Sequence, residues 1–353
     1  KLINLILFPF SLLYGLITWI RNLLYNWQIL TSEEFDIPVI SIGNLSVGGT
    51  GKTPHIEYLV RLLSQTYHLA ILSRGYKRKT KGFLFATNIT QVDDVGDEPT
   101  QFAQKFPDII VAVDEKRRHG IHTILSHYPD VELILLDDAF QHRAVKPGLS
   151  ILLSDFHKLF TRNFMLPTGT LREFKRGARR ANIIIVSKTP KVFSPILKKI
   201  LIEEIRPKAH QQLFFSYIKY GCITPIPGID KPAMVKKYYT ILMVTGIANT
   251  YPLQEHLKKN CAELITLNFP DHHHYSVKNM QYIKKRFDDI FSKNKAIITT
   301  EKDLMRMNKP ELISIISELP AYYIPIEIAI HKDGREAFNE LIKNYVREAK
   351  ANH

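Results

Sequence analysis

The sequence of 353 residues predicts an α/β protein: a parallel sheet covered on both faces, with a second, smaller α/β domain after it. Two observations carry this expectation. Short runs rich in Val, Ile and Leu alternate with amphipathic stretches, and the runs are almost wholly apolar, as strands buried on both faces must be. The chain is also long enough to bury two cores. Strands are expected at 38–42, 69–73, 109–113, 131–137, 150–154 and 182–187, and helices at 54–64, 116–126 and 194–205. Gly221, Pro225, Pro227 and Gly228 then interrupt a β-rich stretch, so 213–236 reads as a hairpin-like linker. A second series follows, with strands at 239–244, 263–268, 296–300 and 322–328 and helices at 276–291, 310–316 and 334–349. The expected organisation is a helical segment at 1–30, a main domain at 31–212, a β linker at 213–236 and a smaller domain at 237–353.

The first segment has its own character. Residues 2–20 carry no charge and are bracketed by Lys1 and Arg21. A helix of that length rises about 28 Å, close to the hydrocarbon thickness of a bilayer. Pro9, Gly15, Asn4, Ser11 and Thr18 weaken a spanning assignment. Trp19, Trp27, Tyr14 and Tyr25 are the aromatic types that settle at lipid headgroups. A helix lying in, or dipping into, one leaflet is therefore expected. No small-x-small site follows the apolar run, so a cleaved signal peptide fits poorly.

Charge and cysteine usage narrow the partners. Lys plus Arg number 48 against 34 Asp plus Glu, a formal net charge of +14, which favours anionic surfaces or phosphorylated ligands. No helix-turn-helix, RNP or zinc-finger pattern is present, so nucleic acid is not an expected partner. Cys222 and Cys261 lie far apart without metal-ligand spacing and read as ordinary small hydrophobes in a reducing compartment.

Residues 39–54, VISIGNLSVGGTGKTP, hold the strongest local signal. A strand runs into a Gly-rich loop, then Gly51-Lys52-Thr53, then a helix opened by Pro54: the context a P-loop requires. Gly48, Gly49 and Gly51 let backbone N–H groups turn inward around phosphate oxygens, and the following helix N-terminus adds positive potential. Lys52 is placed to reach the β- and γ-phosphates of ATP, and the Thr53 hydroxyl to ligate Mg²⁺. The expected nucleotide cradle is Ser46, Val47, Gly48, Gly49, Thr50, Gly51, Lys52 and Thr53. Ser46 stands where the usual pattern GxxxxGK[ST] has glycine. The fold class is thus a P-loop NTPase-type parallel sheet with a second domain.

A second strand, ELILLDD at 132–138, ends in Asp137 and Asp138, the way a Walker B carboxylate is presented beside a P-loop. Gly96-Asp97-Glu98-Pro99 puts two more carboxylates in an expected turn. Thr53, Asp138, Asp137 and Glu98 are the expected Mg²⁺ neighbourhood. Of the run His272-His273-His274, one functional histidine is expected, because adjacent loop histidines cannot easily face one ion.

These motifs occur in a recognisable order: GNLSVGGTGKTP at 43–54, SRGY at 73–76, GDEP at 96–99, DDAFQH at 137–142, LPTGTLRE at 166–173, DHH at 271–273 and TEKD at 300–303. The chain closely resembles the tetraacyldisaccharide 4′-kinase family of lipid A biosynthesis, from its N-terminus to about residue 330. Ala139 stands where family members often have Gly. The resemblance implies transfer of the γ-phosphoryl of ATP to the 4′-hydroxyl of a tetraacylated glucosamine disaccharide 1-phosphate, at the cytoplasmic face of the bacterial inner membrane. It implies a two-stranded linker between the domains. It also points to Asp97 as the base, assisted by His272 from the other domain, with Lys52 as the third catalytic group. An Asp bonded to a His can accept the hydroxyl proton while the His shares the charge. Arg117 and Arg172 would offset negative charge or bind substrate phosphate. Asn44, Tyr76 and Gln141, in the matching motifs, complete the expected substrate contacts.

Two other readings compete. A membrane-associated P-loop switch or ATPase would share the loop, but SKTP at 187–190 and EKD at 301–303 do not make the [NT]KxD element that reads guanine. A non-enzymatic membrane or nucleic-acid binder would explain the charge and leave the loop and its carboxylates unused.

Overall fold

The computed structural model describes residues 2–227, 229, 237–247, 249–271 and 273–351, with side chains from residue 6. They divide into two compact units, Lys1–Ile218 with Ile328–His353, and Lys219–Glu327. In the larger unit α1 (Leu2–Asn26) precedes β1 (Val39–Asn44), α2 (Lys52–Leu63), β2 (Leu69–Ser73), β3 (Leu84–Ala86), α3 (Val92–Val95), α4 (Asp97–Lys105) and β4 (Ile110–Val113). Then come α5 (Arg117–His127), β5 (Leu133–Asp137), β6 (Leu149–Asp155), β7 (Ile183–Ser187), α6 (Pro195–Ile205) and β8 (Gln212–Tyr220).

The smaller unit holds β9 (Thr224–Pro225), β10 (Tyr238–Thr245), α7 (Tyr251–Leu257), β11 (Cys261–Asn268), α8 (Val277–Asp288), β12 (Lys295–Thr300), α9 (Glu301–Met307), α10 (Pro310–Ile313) and β13 (Ala321–Ile324). The chain returns to the larger unit with β14 (Ile326–Ile330) and α11 (Lys332–Ala351).

The larger sheet runs β14-β8-β7-β6-β1-β5-β2-β4-β3. Its central pairs are parallel, the edge pair β3–β4 is antiparallel, and at the other edge the bonds from Gly221 N–H to the Pro325 carbonyl and from His331 N–H to the Phe215 carbonyl run β14 antiparallel to β8. Every residue of β1, β2, β5 and β7 is buried, which is why these segments read as unbroken apolar runs. β1 lies between β5 and β6, so the crossovers from it diverge and leave a crevice beyond its C-terminal end. The smaller sheet runs β11-β10-β12-β13-β9 and is parallel except at β9.

Three expectations need correction. The smaller domain does not extend to residue 353. The stripe Phe338, Ile342 and Val346 on α11 is buried in the same core as Ile40, Ile56 and Phe214, and the Tyr345 hydroxyl bonds both the N–H and the carbonyl of Val39 at 3.2 Å. The expected strand 322–328 is two strands in two sheets, divided at Pro325, whose missing N–H breaks a ladder. Residues 96–99 are not a simple turn: Gly96, at φ 95°, caps α4, and Asp97 and Glu98 form its first turn. The chain crosses between the units along β8 and β14, which are neighbours in the larger sheet.

α1 is inverted relative to an ordinary surface helix. Ser11 and Gly15 are buried against the larger unit, while Ile6, Phe8, Phe10, Leu12, Leu13, Leu16, Ile17, Trp19 and Ile20 are exposed. The Ser11 hydroxyl bonds Thr168 Oγ1 at 2.6 Å, and Asn22 Nδ2 donates to Glu173 Oε2 at 3.0 Å. A buried core helix would show the opposite face.

Candidate active site

The functional side chains gather because parallel strands end on one side. After β1 comes the Gly-rich loop; at the end of β5, Asp137 and then Asp138; at the end of β2, Ser73; after β4, Asp114 and Arg117; at the end of β7, Ser187 and then Lys188. Gly48 and Gly51 have φ of 112° and 88°, a region that side chains other than glycine adopt at a cost. A Cβ placed on Gly48 or Gly49 would meet nothing within 4 Å, so the loop has open space at both positions.

The loop is braced from several directions. Its first arm pairs with a neighbouring segment: Val47 N–H donates to the Thr170 carbonyl at 2.8 Å, and Arg172 N–H to the Leu45 carbonyl at 2.7 Å. Ser187 Oγ donates to the Thr50 carbonyl at 2.8 Å. Lys188 bonds the Gly49 carbonyl and pairs with Asp155 at 2.7 Å. Asn44, fully buried, donates through Nδ2 to Thr50 Oγ1 at 2.8 Å.

At the mouth of the loop, Lys52 Nζ lies 3.6 Å from Asp138 Oδ1, and Arg172 Nη1 lies 3.1 Å from both Asp138 oxygens. Burial pushes the Asp138 carboxyl up, but Lys52 and Arg172 outweigh it and hold the group below the usual carboxylate range. Asp137 behaves oppositely. Its burial, with the Asp138 charge beside it, raises it to about 6. Ser73 Oγ donates to Asp137 Oδ2 at 3.1 Å, while Oδ1 has no partner. Asn44 Oδ1 is likewise buried without one. Two orphaned acceptor oxygens beside an open cradle are unusual in a folded protein and fit a site built for a ligand that brings donors or a cation.

A sequence model of the tetraacyldisaccharide-1-P 4′-kinase family matches residues 3–347. The chain belongs to this family. The tetraacyldisaccharide 4′-kinases of Bacteroides thetaiotaomicron and Flavobacterium johnsoniae are each 46% identical to it. The first alignment covers 97% of this chain and 93% of the relative, the second 99% and 98%. A crystal structure of LpxK from Aquifex aeolicus in complex with ATP superposes with a TM-score of 0.73 at 28% identity, covering 98% of this chain and 99% of that one.

In this family member the expected residues fall into groups. Lys52, Asp138, Asp137 and Arg172 converge as described. Glu98 is close enough for its charge to raise Asp137. Asp97 is half-buried at the start of α4, and α4 is tied to α2 through Glu57, which accepts from Gln101 at 2.7 Å and pairs with Lys105 at 2.8 Å. Tyr76 is exposed on a loop whose carbonyl would lie 2.9 Å from a Cβ on Gly96, so its motif and the Asp97 motif touch.

Arg117 and Gln141 differ from the expected substrate contacts. The Arg117 side chain is buried and donates to the carbonyls of Asp114 and Asp137, the latter at 3.3 Å; burial lowers it to about 10. These bonds brace the β5 end, and its buried Nε has no partner. Gln141 Nε2 donates to the Asn44 carbonyl at 2.7 Å and to Glu173 at 3.2 Å, joining two loops. His272 lies outside the described residues.

Sequence reasoning missed Glu173 as an organiser. Only 3% exposed, it gathers Asn22, Gln141 and Arg180, linking α1 to the site loops. Its place within LPTGTLRE was the available signal. Among the described residues no cluster of three or more His, Cys, Asp or Glu is placed to hold a metal. Mg²⁺ sites built on one or two carboxylates plus phosphate oxygens need no such cluster.

Proposed function

We propose that this chain transfers the γ-phosphoryl group of ATP to the 4′-hydroxyl of a tetraacylated glucosamine disaccharide 1-phosphate, in lipid A biosynthesis at a membrane surface. The observation that carries the reading is the convergence of Lys52, Arg172 and Asp138 at the mouth of an open glycine loop, in a chain of this family. The loop amides and Lys52 hold the triphosphate. Thr53, Asp138 and Asp137 are the groups that would hold Mg²⁺; when bound, the ion neutralises phosphate charge. Asp137 Oδ1, without a partner, suits that role.

Phosphoryl transfer is mostly positioning and charge stabilisation. The acceptor oxygen bonds the γ-phosphorus, the bond to the bridging oxygen breaks, and the hydroxyl proton passes to Asp97. His272, carried over from the family resemblance, is the proposed partner that orients Asp97. Arg172, released from Asp138 or shared with it, offsets negative charge. Glu98 belongs to the surrounding carboxylate set and Tyr76 to the acceptor side.

The membrane contact is the outer face of α1. Residues 6–26 are long and apolar enough to cross a bilayer. Yet Ser11, Tyr14, Asn22 and their neighbours bond the larger unit, and a helix so engaged cannot also span. It lies at the interface, apolar side to lipid, at the cytoplasmic face of the inner membrane. Phe164 and Phe174, exposed beside it, extend the same surface, and Lys175 and Arg176 suit anionic headgroups.

The test is transfer of radiolabelled γ-phosphate from ATP to the tetraacylated disaccharide 1-phosphate in detergent micelles. Labelled lipid phosphorylated at the 4′-position is the expected product. Release of inorganic phosphate alone would favour the ATPase or switch reading.

A further inference from the structure

Behind the nucleotide loop runs a polar chain that takes no part in the reaction described above. His55, in the first turns of α2, is 3% exposed. Its Nδ1 lies 2.6 Å from the carbonyl oxygen of Gly51, and its Nε2 lies 2.9 Å from Ser216 Oγ. A carbonyl can only accept, so Nδ1 carries the proton and Nε2 accepts from the Ser216 hydroxyl. The Ser216 carbonyl in turn accepts from both the N–H and the hydroxyl of Thr189 at 2.9 Å, and Thr189 Oγ1 lies 2.9 Å from His331 Nε2. Ser216 is on β8 and His331 directly follows β14, the two strands by which the chain leaves and re-enters the larger unit.

The geometry has a direct consequence for phosphate binding. Gly51 is left-handed, and its carbonyl accepts from His55 twice, through the backbone N–H at 3.3 Å and through Nδ1. In a trans peptide the C=O and the following N–H point in opposite directions. Drawing the Gly51 carbonyl back onto α2 therefore turns the Lys52 N–H the other way, toward the open cradle. Were that carbonyl to swing inward, it would present an oxygen to an anion. The imidazole also consumes the buried Ser216 hydroxyl, which would otherwise be a costly unpaired group.

We propose that His55 is a positioning residue for nucleotide binding: it fixes the Gly51–Lys52 peptide with its N–H turned to the phosphates and anchors that peptide to Ser216 on the linker strand. The proposal rests on 46–53 being the nucleotide loop.

The experiment measures the equilibrium Kd for ATP by calorimetry on the full chain in detergent, with thermal melting alongside. Asparagine can place an N–H near the Nδ1 position, whereas glutamine places one near Nε2. His55→Leu and His55→Gln should each weaken ATP binding about tenfold, while His55→Asn should recover most of the affinity. Ser216→Ala should weaken binding about threefold, and combined with His55→Leu it should add nothing further. The proposal is overturned if Asn and Gln variants bind ATP equally, or if the Ser216 and His55 effects add. Should His55→Leu fail to fold, the Asn and Gln comparison still decides. Failure of the unaltered chain to bind ATP would count against the nucleotide loop itself, a result distinct from variants that bind normally.

Discussion

The Tyr14 hydroxyl donates a 3.0 Å hydrogen bond to the backbone carbonyl of Arg172, the residue whose guanidinium holds Asp138. The helix with an outward apolar face is thus two bonds from the phosphate site. Gly15, one residue on, lets the helix lie close: a Cβ there would come within 2.8 Å of the Phe174 ring. Leucine has a higher helix propensity than glycine, so Gly15→Leu leaves the helix itself intact and only lifts it from the larger unit. Transfer to micellar lipid should fall about tenfold or more with ATP affinity unchanged, since an ångström of misplacement can cost that much. Tyr14→Phe should cost about 1 kcal/mol of stability in denaturant titration, a single hydrogen bond's worth. An equal loss of ATP affinity in the glycine variant would count against a role confined to lipid.

Lys52 and Asp138, of opposite charge, lie 3.6 Å apart at the mouth of the loop. Lys52→Ala should lower kcat/KM by about 10²–10³, the range for removing one preorganised charge-stabilising donor. Asp138→Asn should lower kcat to a similar extent, because its carboxylate organises both Lys52 and Arg172. Steady-state kinetics over a range of ATP concentration check both. Near-normal turnover in Asp138→Asn would remove it from the site.

For Asp97 and His272 the two parameters should separate. Asp97→Asn and His272→Ala should each lower turnover by about 10²–10⁴, the contribution of a positioned acid or base, while ATP Kd stays within about threefold. The double variant should be little worse than either single one if the groups act as a unit. Additive losses would argue for independent roles.

Acid should destabilise the larger unit. Burial, with the charges of Arg117, Arg74 and Arg21, holds His142 down at about 4, and burial holds His55 at about 4. Both lie below the ordinary histidine value near 6.5. Between those limits the unfolded chain binds protons that the folded chain refuses, so these two histidines contribute stability that grows with pH across that window, while Asp137, raised to about 6, opposes them with the contribution of a single group. His142→Asn should flatten part of this dependence, worth up to roughly 3 kcal/mol at the acid end. Thermal melts between pH 4 and 8 test it; parallel curves for the two proteins would show that His142 does not titrate as stated.

Much of the fold was legible because its strands are buried on both faces. The segments that became β2, β5 and β7 stand out in the sequence as unbroken apolar runs. The short β3, α3 and α7 were not legible, since three or four residues, or seven beside a proline, carry too little periodicity to separate from loop. In the site, the glycine loop and the Asp137-Asp138 strand end were visible as motifs. The inward turn of Arg117 and the gathering role of Glu173 were not, because an arginine or glutamate in a polar loop has the same appearance whether it faces solvent or a buried carbonyl.

The sequence by itself determined what depends on neighbours along the chain: a strand running into glycines and a helix start, acidic residues at the end of an apolar run, and an uncharged stretch at the N-terminus. Tertiary structure decided what depends on contacts between distant segments. Pro325 splits one apolar run between two sheets, and α11 returns to cover the larger one. Ser11 and Gly15 turn the polar side of α1 inward. His55 meets Ser216 across 161 residues. Local pattern specifies hydrogen bonding within an element, but which face is buried, and against what, is fixed only when the elements pack.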